Sequence, residues 1–153
     1  MPVYISKFVI NKIIQSPPPV KPDFKLVKII RAVRADSCRF GIGEIELKLK
    51  VIPKTQQGYI FEIVKGSLDG QFVFGNTAVS NIFNRSQYPL EWKDGNTNTQ
   101  EPFNIVLKIT GVSHSGQKSA PQFLKISHNG VKIPWWNIWR KLPYSVTQVI
   151  EYM

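Results

Sequence analysis

The stretch from residue 44 to residue 51 alternates between charged and apolar side chains, and it restricts the fold more than any other part of the chain. Its charged members are Glu44, Glu46, Lys48 and Lys50, and its apolar members are Ile45, Leu47, Leu49 and Val51. Because successive side chains of a β-strand point to opposite faces, the alternation predicts a strand with one face in a core and one in water. One solvated face is typical of an antiparallel sheet.

Further segments rich in β-branched and aromatic residues are also predicted to be strands: 3–10, 59–65, 71–75, 103–112, 122–127 and 131–133. Short turns that contain glycine connect the first strands after residue 44, which favours a meander. The Asn129-Gly130 pair favours a hairpin between the last two segments. Residues 84–102 are predicted to form a long loop, because polar residues, glycine and proline dominate them.

Two other regions have the apolar spacing i, i+3, i+4, i+7 of one helix face. In residues 23–34 these positions are Leu26, Ile29, Ile30 and Val33; near the C-terminus they are Trp135, Ile138, Trp139 and Leu142, then Val146, Val149, Ile150 and Met153. The spacing predicts helices, although the β-branched residues of the first region leave a strand as the alternative there. The predicted fold class is α+β and mainly β: a single antiparallel sheet of about five to seven strands, one or two terminal helices and an N-terminal arm.

A proline-rich stretch divides the chain. Residues 17–22 contain four prolines, which fix φ and lack a backbone donor, so we interpret this stretch as an extended spacer. The predicted organisation is an N-terminal arm at 1–16, the spacer at 17–22, and one globular domain at 23–153. That domain ends in a Trp-rich helical segment at 134–153. An arm on an extended spacer can pair its backbone with a neighbouring sheet.

Three of the four tryptophans lie within five residues, at Trp135, Trp136 and Trp139, and Arg140 and Lys141 follow them. Tryptophan and arginine are enriched among the residues that dominate binding energy at interfaces. Neighbouring helix residues point about 100° apart, so Trp135 and Trp136 cannot both enter one core pocket. Two interpretations stay open from the sequence: these rings cover the sheet as core, or at least one of them contacts a partner.

The formal net charge of +10 is concentrated at the two ends of the chain. Residues 1–39 hold eight Lys/Arg against two acids, residues 40–101 hold six against seven, and residues 102–150 hold six against none. Such a distribution attracts polyanions or an acidic protein surface. A basic nucleic-acid-binding module is therefore one alternative function, with the candidate contacts Lys25, Lys28, Arg31 and Arg34.

The sequence contains few groups that could carry chemistry. Cys38 is the only cysteine, so no disulfide within the chain can form. His114 and His128 lie beside serine and glycine, where we expect exposed turns, and no established catalytic or metal-binding motif accompanies them. Asp94 and Glu101 flank a polar stretch and form at most a weak cation site. We therefore expect no catalytic residues, no metal and no cofactor, and we expect the chain not to be an enzyme.

These observations favour a non-catalytic structural or adaptor subunit of a larger protein assembly, for example of virion or tail type. The candidate partner-binding residues are Tyr4, Phe8, Trp135, Trp136, Trp139, Arg140 and Lys141. The expected partners are other protein subunits or further copies of the chain, with nucleic acid as the alternative partner. An enzyme with an unrecognised site near the 84–102 loop is a third hypothesis. The sequence shows neither a secretory signal nor an apolar run long enough to span a membrane, so we expect a cytoplasmic protein or a part of a cytoplasmically assembled particle.

Overall fold

A computed structural model describes residues 5–31, 41–68, 70–81, 85–94, 99–132 and 149–152. These residues form an antiparallel β-sandwich whose two layers share one hydrophobic core. The strands, in chain order, are β1 (Ile5–Lys7), β2 (Phe24–Ile30), β3 (Ile42–Leu49), β4 (Gly58–Lys65), β5 (Val79–Asn81), β6 (Gln87–Lys93), β7 (Thr99–Gln100), β8 (Phe103–Val112), β9 (Gln122–His128), β10 (Val131–Lys132) and β11 (Val149–Tyr152). Across these ranges we find no helix with the length and apolar character that crossing a membrane requires.

The two layers are a larger and a smaller sheet, and every pairing in them is antiparallel. The larger sheet has the order β1-β5-β4-β8-β9, with the short β11 beside β9, and the smaller sheet has the order β2-β3-β6. β7 and β10 form a separate two-stranded ribbon. The chain passes from the larger sheet (β1) to the smaller (β2, β3), back to the larger (β4, β5), to the smaller again (β6), and finally to the larger. Neither layer is therefore built from one continuous stretch of sequence.

A cluster of aromatic rings fills the space between the layers. The ring centroid of Phe24 lies 5.0 Å from Tyr59, 5.6 Å from Phe61 and 5.3 Å from Tyr88, in each case edge to face. This geometry adds about 0.5–1.5 kcal/mol per pair beyond the burial of apolar area. Burial raises the pKa of Tyr88 to about 12 and also raises the pKa of Tyr59. Both phenols therefore stay neutral at physiological pH.

The strand predicted from the alternation at 44–51 is confirmed as β3. Ile45 and Leu47 are fully buried, and Lys48 on the other face is exposed. Glu44 departs from this pattern, because it is buried although it lies on the charged face. The strands predicted at 103–112 and 122–127 are confirmed as β8 and β9.

The helix predicted in residues 23–34 is wrong, because Phe24–Ile30 is strand β2. The register of β2 against β3 shifts between Leu26 and Lys28, which marks a β-bulge. A bulge inserts one residue and resets the alternation of side chains, and the adjacent residues Ile29 and Ile30 are both buried. The apolar residues around the bulge then acquire the spacing of a helix face. The β-branched composition was the better guide to this segment.

The predicted fold class, α+β with one sheet and terminal helices, is also wrong. The described residues are all-β, and two main sheets share the core where a single sheet was expected. Near the C-terminus, part of the predicted second helix is strand β11, which pairs with β9 from Val149↔Ile126 to Tyr152↔Phe123. The helix predicted at 135–142 lies outside the described residues.

The 84–102 region, predicted as a loop, contains strands β6 and β7. β6 pairs with β3 although it contains Pro89; it is an edge strand, where a proline is tolerated. The strand predicted at 71–75 is reduced to a single bridge between Phe72 and Trp92. The hairpin predicted at Asn129-Gly130 does not pair β9 with β10, because β10 pairs with β7.

Candidate functional site

The two ends of the sandwich carry different chemistry, and we name each by its residues. The arm end consists of residues 5–23, 49–58 and 111–119, where the N-terminal arm meets the start of β4 and the end of β8. The histidine end consists of Arg31, Asp94, Phe103 and His128, where β2, β6 and β9 end and β8 begins.

The N-terminal arm lies on its own domain. Its strand β1 pairs with β5, and Phe8, which follows, is only 4% exposed and packs against Ala78 and Val112. The ring of Phe8 lies directly over Gly58, where an added Cβ would be 2.5 Å from it. The imidazole of His114 also lies against the Phe8 ring, at a centroid distance of 4.3 Å. Phe8, predicted from the sequence to bind a partner, is therefore enclosed by its own chain.

Hydrogen bonds hold the rest of the arm and the spacer in place. The Asn11 N–H donates to the carbonyl of His114 at 2.7 Å. The side chain of Gln57 accepts from the Val20 N–H at 2.8 Å and donates to the Val20 carbonyl at 2.9 Å. This amide satisfies both backbone groups of Val20, as a neighbouring strand would do. The segment from residue 5 to residue 20 is therefore attached to the sandwich at several points.

The attached arm nevertheless exposes several large apolar side chains, which we call the apolar ridge: Val9, Ile10, Ile13, Ile14 and Val20. Ile13 is 91% exposed and Val9 is 72% exposed. A turn holds Ile13 outward, with its N–H donating to Oδ1 of Asn11 at 3.0 Å. Closely spaced apolar side chains on a surface are typical of interaction sites.

A groove of about 210 Å³ lies beside the apolar ridge. The spacer forms one wall, the 53–57 turn forms the other, and Ser113 and His114 also line it. The prolines in its walls are Pro17, Pro18, Pro19 and Pro53. Because the two hydrogen bonds between Gln57 and Val20 connect the walls, the width of the groove is fixed by the fold.

The charge at the arm end is strongly positive. Its three segments hold six lysines against one acid: Lys7, Lys12, Lys21, Lys50, Lys54 and Lys118 against Asp23. All six lysines are exposed, and the Asp23 carboxylate is 3.5 Å from the ammonium group of one of them, Lys50. An apolar surface with a rim of ammonium groups favours a partner that is both apolar and acidic.

The histidine end contains a buried ion pair. Arg31 donates from Nε and Nη2 to the two carboxylate oxygens of Asp94, at 2.9 and 3.0 Å. Both side chains are almost completely buried, and the guanidinium carbon lies 5.1 Å from the ring centroid of Phe103. Two-point pairing of this kind is among the stronger charge-assisted contacts in proteins.

His128 completes this cluster as a neutral acceptor. Its Nδ1 lies 3.2 Å from Nη1 of Arg31 and accepts from the Gly130 N–H at 2.9 Å. Arginine and a backbone N–H can only donate, so Nδ1 carries no proton and the neutral ring holds its proton on Nε2. Burial lowers the pKa of His128, the positive charge of Arg31 lowers it further, and Asp94 acts weakly in the opposite direction.

The arrangement at the histidine end suits structural support better than chemistry. Arg31 occupies both oxygens of Asp94, and the adjacent cavity of about 30 Å³ has room for one or two waters rather than a substrate. Within the described ranges, no three His, Cys, Asp or Glu side chains are grouped as metal ligands. Of the two acids suggested for a weak cation site, Asp94 is paired with Arg31, and Glu101 lines the same small cavity.

Of the remaining site residues predicted from the sequence, some lie within the described residues and the others lie outside them. Of the nucleic-acid candidates, Lys25 is exposed, Lys28 is 3.4 Å from the Glu46 carboxylate and Arg31 is buried. Outside the described residues lie Arg34, Tyr4, Trp135, Trp136, Trp139, Arg140 and Lys141.

The buried cluster was missed by sequence reasoning, which placed His128 in an exposed turn. A signal was present: the inward side chains of β9 alternate, and His128 occupies the next position of that series after Leu124 and Ile126. No comparable signal connects Arg31 with Asp94, because 63 residues separate them.

No family model matches the chain, and neither the curated proteins nor the solved structures provide a match. The functional assignment therefore depends on the geometry of the two ends.

Proposed function

We propose that this chain is a non-catalytic structural or adaptor subunit of a larger protein assembly, and that it docks through its N-terminal arm. The second docking element predicted from the sequence, the Trp-rich C-terminal segment at residues 134–153, remains part of this proposal. A virion or tail-type setting, assembled in the cytoplasm, remains a prediction from the sequence.

One observation supports this function above all others: the arm is fixed to the domain but shows its apolar side chains to solvent. A flexible arm would lose conformational entropy on binding, whereas a fixed one loses little. The fold orders the arm through β1, Phe8 and Gln57. Because Ile13 and Val9 contribute little to the chain's own core, their exposure is best explained by contact with a partner.

The test compares two valines of nearly equal exposure. Val9, on the ridge, is 72% exposed, and Val73, beyond the arm end, is 75% exposed. The full chain, tagged and isolated from the cells that make it, should elute on size exclusion with a mass well above that of one chain. Val9→Asp should shift it to the single-chain mass, because a carboxylate would be buried at the interface.

Val73→Asp should leave the large complex intact, and both variants should unfold at the same temperature as the parent. A native chain that elutes as a monomer would rule out the assembly function. Equal loss of the complex in both variants would show that the ridge is not the docking surface.

A further inference from the structure

We propose, building on the docking function above, that the groove and apolar ridge of the arm end bind an acidic, extended segment of a partner protein that also carries apolar side chains. Two features of the arm end identify this partner: the rim of lysines and the shape of the groove.

The lysine rim determines the charge of the partner. Besides Lys50, five exposed lysines of the arm end come from all three of its segments: Lys7, Lys12 and Lys21, then Lys54, then Lys118. Lys54 itself lines the groove. The single acid of these segments, Asp23, lies beside Lys50. Complementary charge across an interface accelerates association and excludes partners of like charge.

The groove determines the form of the partner. Its walls are the spacer and the 53–57 turn, which the hydrogen bonds between Gln57 and Val20 hold together, and prolines line both walls. A partly apolar groove between fixed walls accepts the side chains of an extended peptide, as aromatic-lined grooves accept proline-rich segments in another recognition mode. The apolar ridge beside it extends the apolar contact beyond the groove.

The same features argue against other occupants. A second copy of the chain would bring another net charge of +10 towards the lysine rim, which is unfavourable. Single-stranded nucleic acid is usually held by exposed aromatic rings on which bases stack, and the arm-end ring Phe8 is buried. A lipid surface would engage the convex ridge and leave the groove unused.

The binding test uses a fluorescein-labelled random copolymer of glutamate and tyrosine, with polyglutamate of equal length as the comparison. We expect the copolymer to bind the full chain at least roughly tenfold more tightly than polyglutamate in a fluorescence anisotropy titration. Its carboxylates meet the lysine rim, and its rings enter the apolar groove, whereas polyglutamate can use only the rim.

Two pairs of variants locate the binding. Lys54→Glu should weaken copolymer binding by about tenfold, whereas Lys93→Glu, an equal charge change at an exposed lysine outside the arm end, should change it less than about twofold. Val20→Asp in the groove wall should weaken binding strongly, whereas Val73→Asp should not. Unchanged thermal unfolding of all four variants shows that the fold is retained.

Several outcomes would overturn the inference. One is the absence of copolymer binding, and another is equal weakening by Lys54→Glu and Lys93→Glu. Tighter binding of an oligothymidylate would indicate nucleic acid as the partner. Binding to phosphatidylglycerol vesicles that Val9→Asp abolishes and Lys54→Glu preserves would indicate a lipid surface.

This test is separable from the test of assembly. Suppose that the native complex forms, that Val9→Asp dissociates it, and that the copolymer fails to bind. The docking function then stands, and only the proposed chemistry of the partner is wrong. If the native chain is a monomer, the docking function fails whatever the copolymer does.

Discussion

Strand β9 contacts β2 near the arm end and the residue that follows β2 at the histidine end, and the two contacts are built differently. Next to the arm end, the side chain of Gln122 accepts from the Phe24 N–H at 2.7 Å and donates to the Phe24 carbonyl at 3.0 Å. At the histidine end, His128 lies 3.2 Å from Arg31, which is paired with Asp94. The first contact is neutral, whereas the second depends on three ionisable groups.

This difference predicts which of the two contacts responds to pH and salt concentration. A buried amide with satisfied partners keeps its hydrogen bonds at any moderate pH and salt concentration. A buried ion pair is stable only while both charges are present, because either one alone is costly in a low-dielectric interior. The proposed docking surface lies at the arm end, so the neutral contact is the one of the two that adjoins it.

The largest expected effect is the removal of the buried carboxylate. Asp94→Asn should lower the free energy of unfolding by about 3–5 kcal/mol, because the buried Arg31 then lacks a compensating charge. Urea denaturation followed by tryptophan fluorescence measures this loss. The matched control is Asp23→Asn at the exposed pair with Lys50, where the loss should be at most about 1 kcal/mol. Similar losses in both variants would show that the histidine end is not the sensitive end.

A smaller loss is expected from the neutral contact. Gln122→Leu keeps the approximate volume but leaves the N–H and carbonyl of Phe24 without their partner, which should cost about 2–3 kcal/mol. The loss should be the same at pH 7.5 and pH 5, since no titratable group takes part in it. The control is Gln117→Leu in an exposed turn, where the change should stay within about 0.5 kcal/mol. A loss of stability in Gln122→Leu that increases as the pH falls would contradict the proposed difference between the neutral contact and the ionisable one.

Local patterning was enough to predict part of this fold. Strand β3 follows from period-two alternation, and strands β8 and β9 follow from their content of β-branched and aromatic residues. β2 was misread as a helix because the bulge between Leu26 and Lys28 hides its alternation. The long-range features had no local signal: the pairing of β7 with β10 and the assignment of β6 to the smaller sheet are decided by contacts between distant segments.

The candidate site was predicted only in part. The sequence pointed to the arm as a docking element through Tyr4 and Phe8; Tyr4 lies outside the described residues, and Phe8 is enclosed by Gly58, Ala78 and Val112. The groove was not foreseen, because it arises where Gln57 reaches Val20 across 37 residues. Side-chain amides that bond to a distant backbone leave no periodic trace in a sequence.

The smallest expected effect is the pH dependence of stability that His128 causes. Its pKa lies below the ordinary value of 6.5 through burial and then through Arg31, so the folded chain takes up this proton less readily than the unfolded chain. The contribution of neutral His128 to the free energy of unfolding is therefore complete above about pH 6.5. It is lost as the pH falls below that value, by up to about 1.4 kcal/mol per pH unit for one proton. Protonated Nδ1 could no longer accept from Gly130 and would place a second cation beside Arg31.

Chemical denaturation between pH 7.5 and pH 5 measures this slope in the parent chain and in two variants. His128→Asn offers an acceptor oxygen near the position of Nδ1 but cannot titrate, so its stability should be nearly constant over the interval. His114→Asn, which replaces the histidine of the arm end, should retain the slope, because the sensitive contact lies at the other end. If instead His114→Asn flattens the profile and His128→Asn does not, acid sensitivity belongs to the docking end, and the contrast between the two contacts of β9 is reversed.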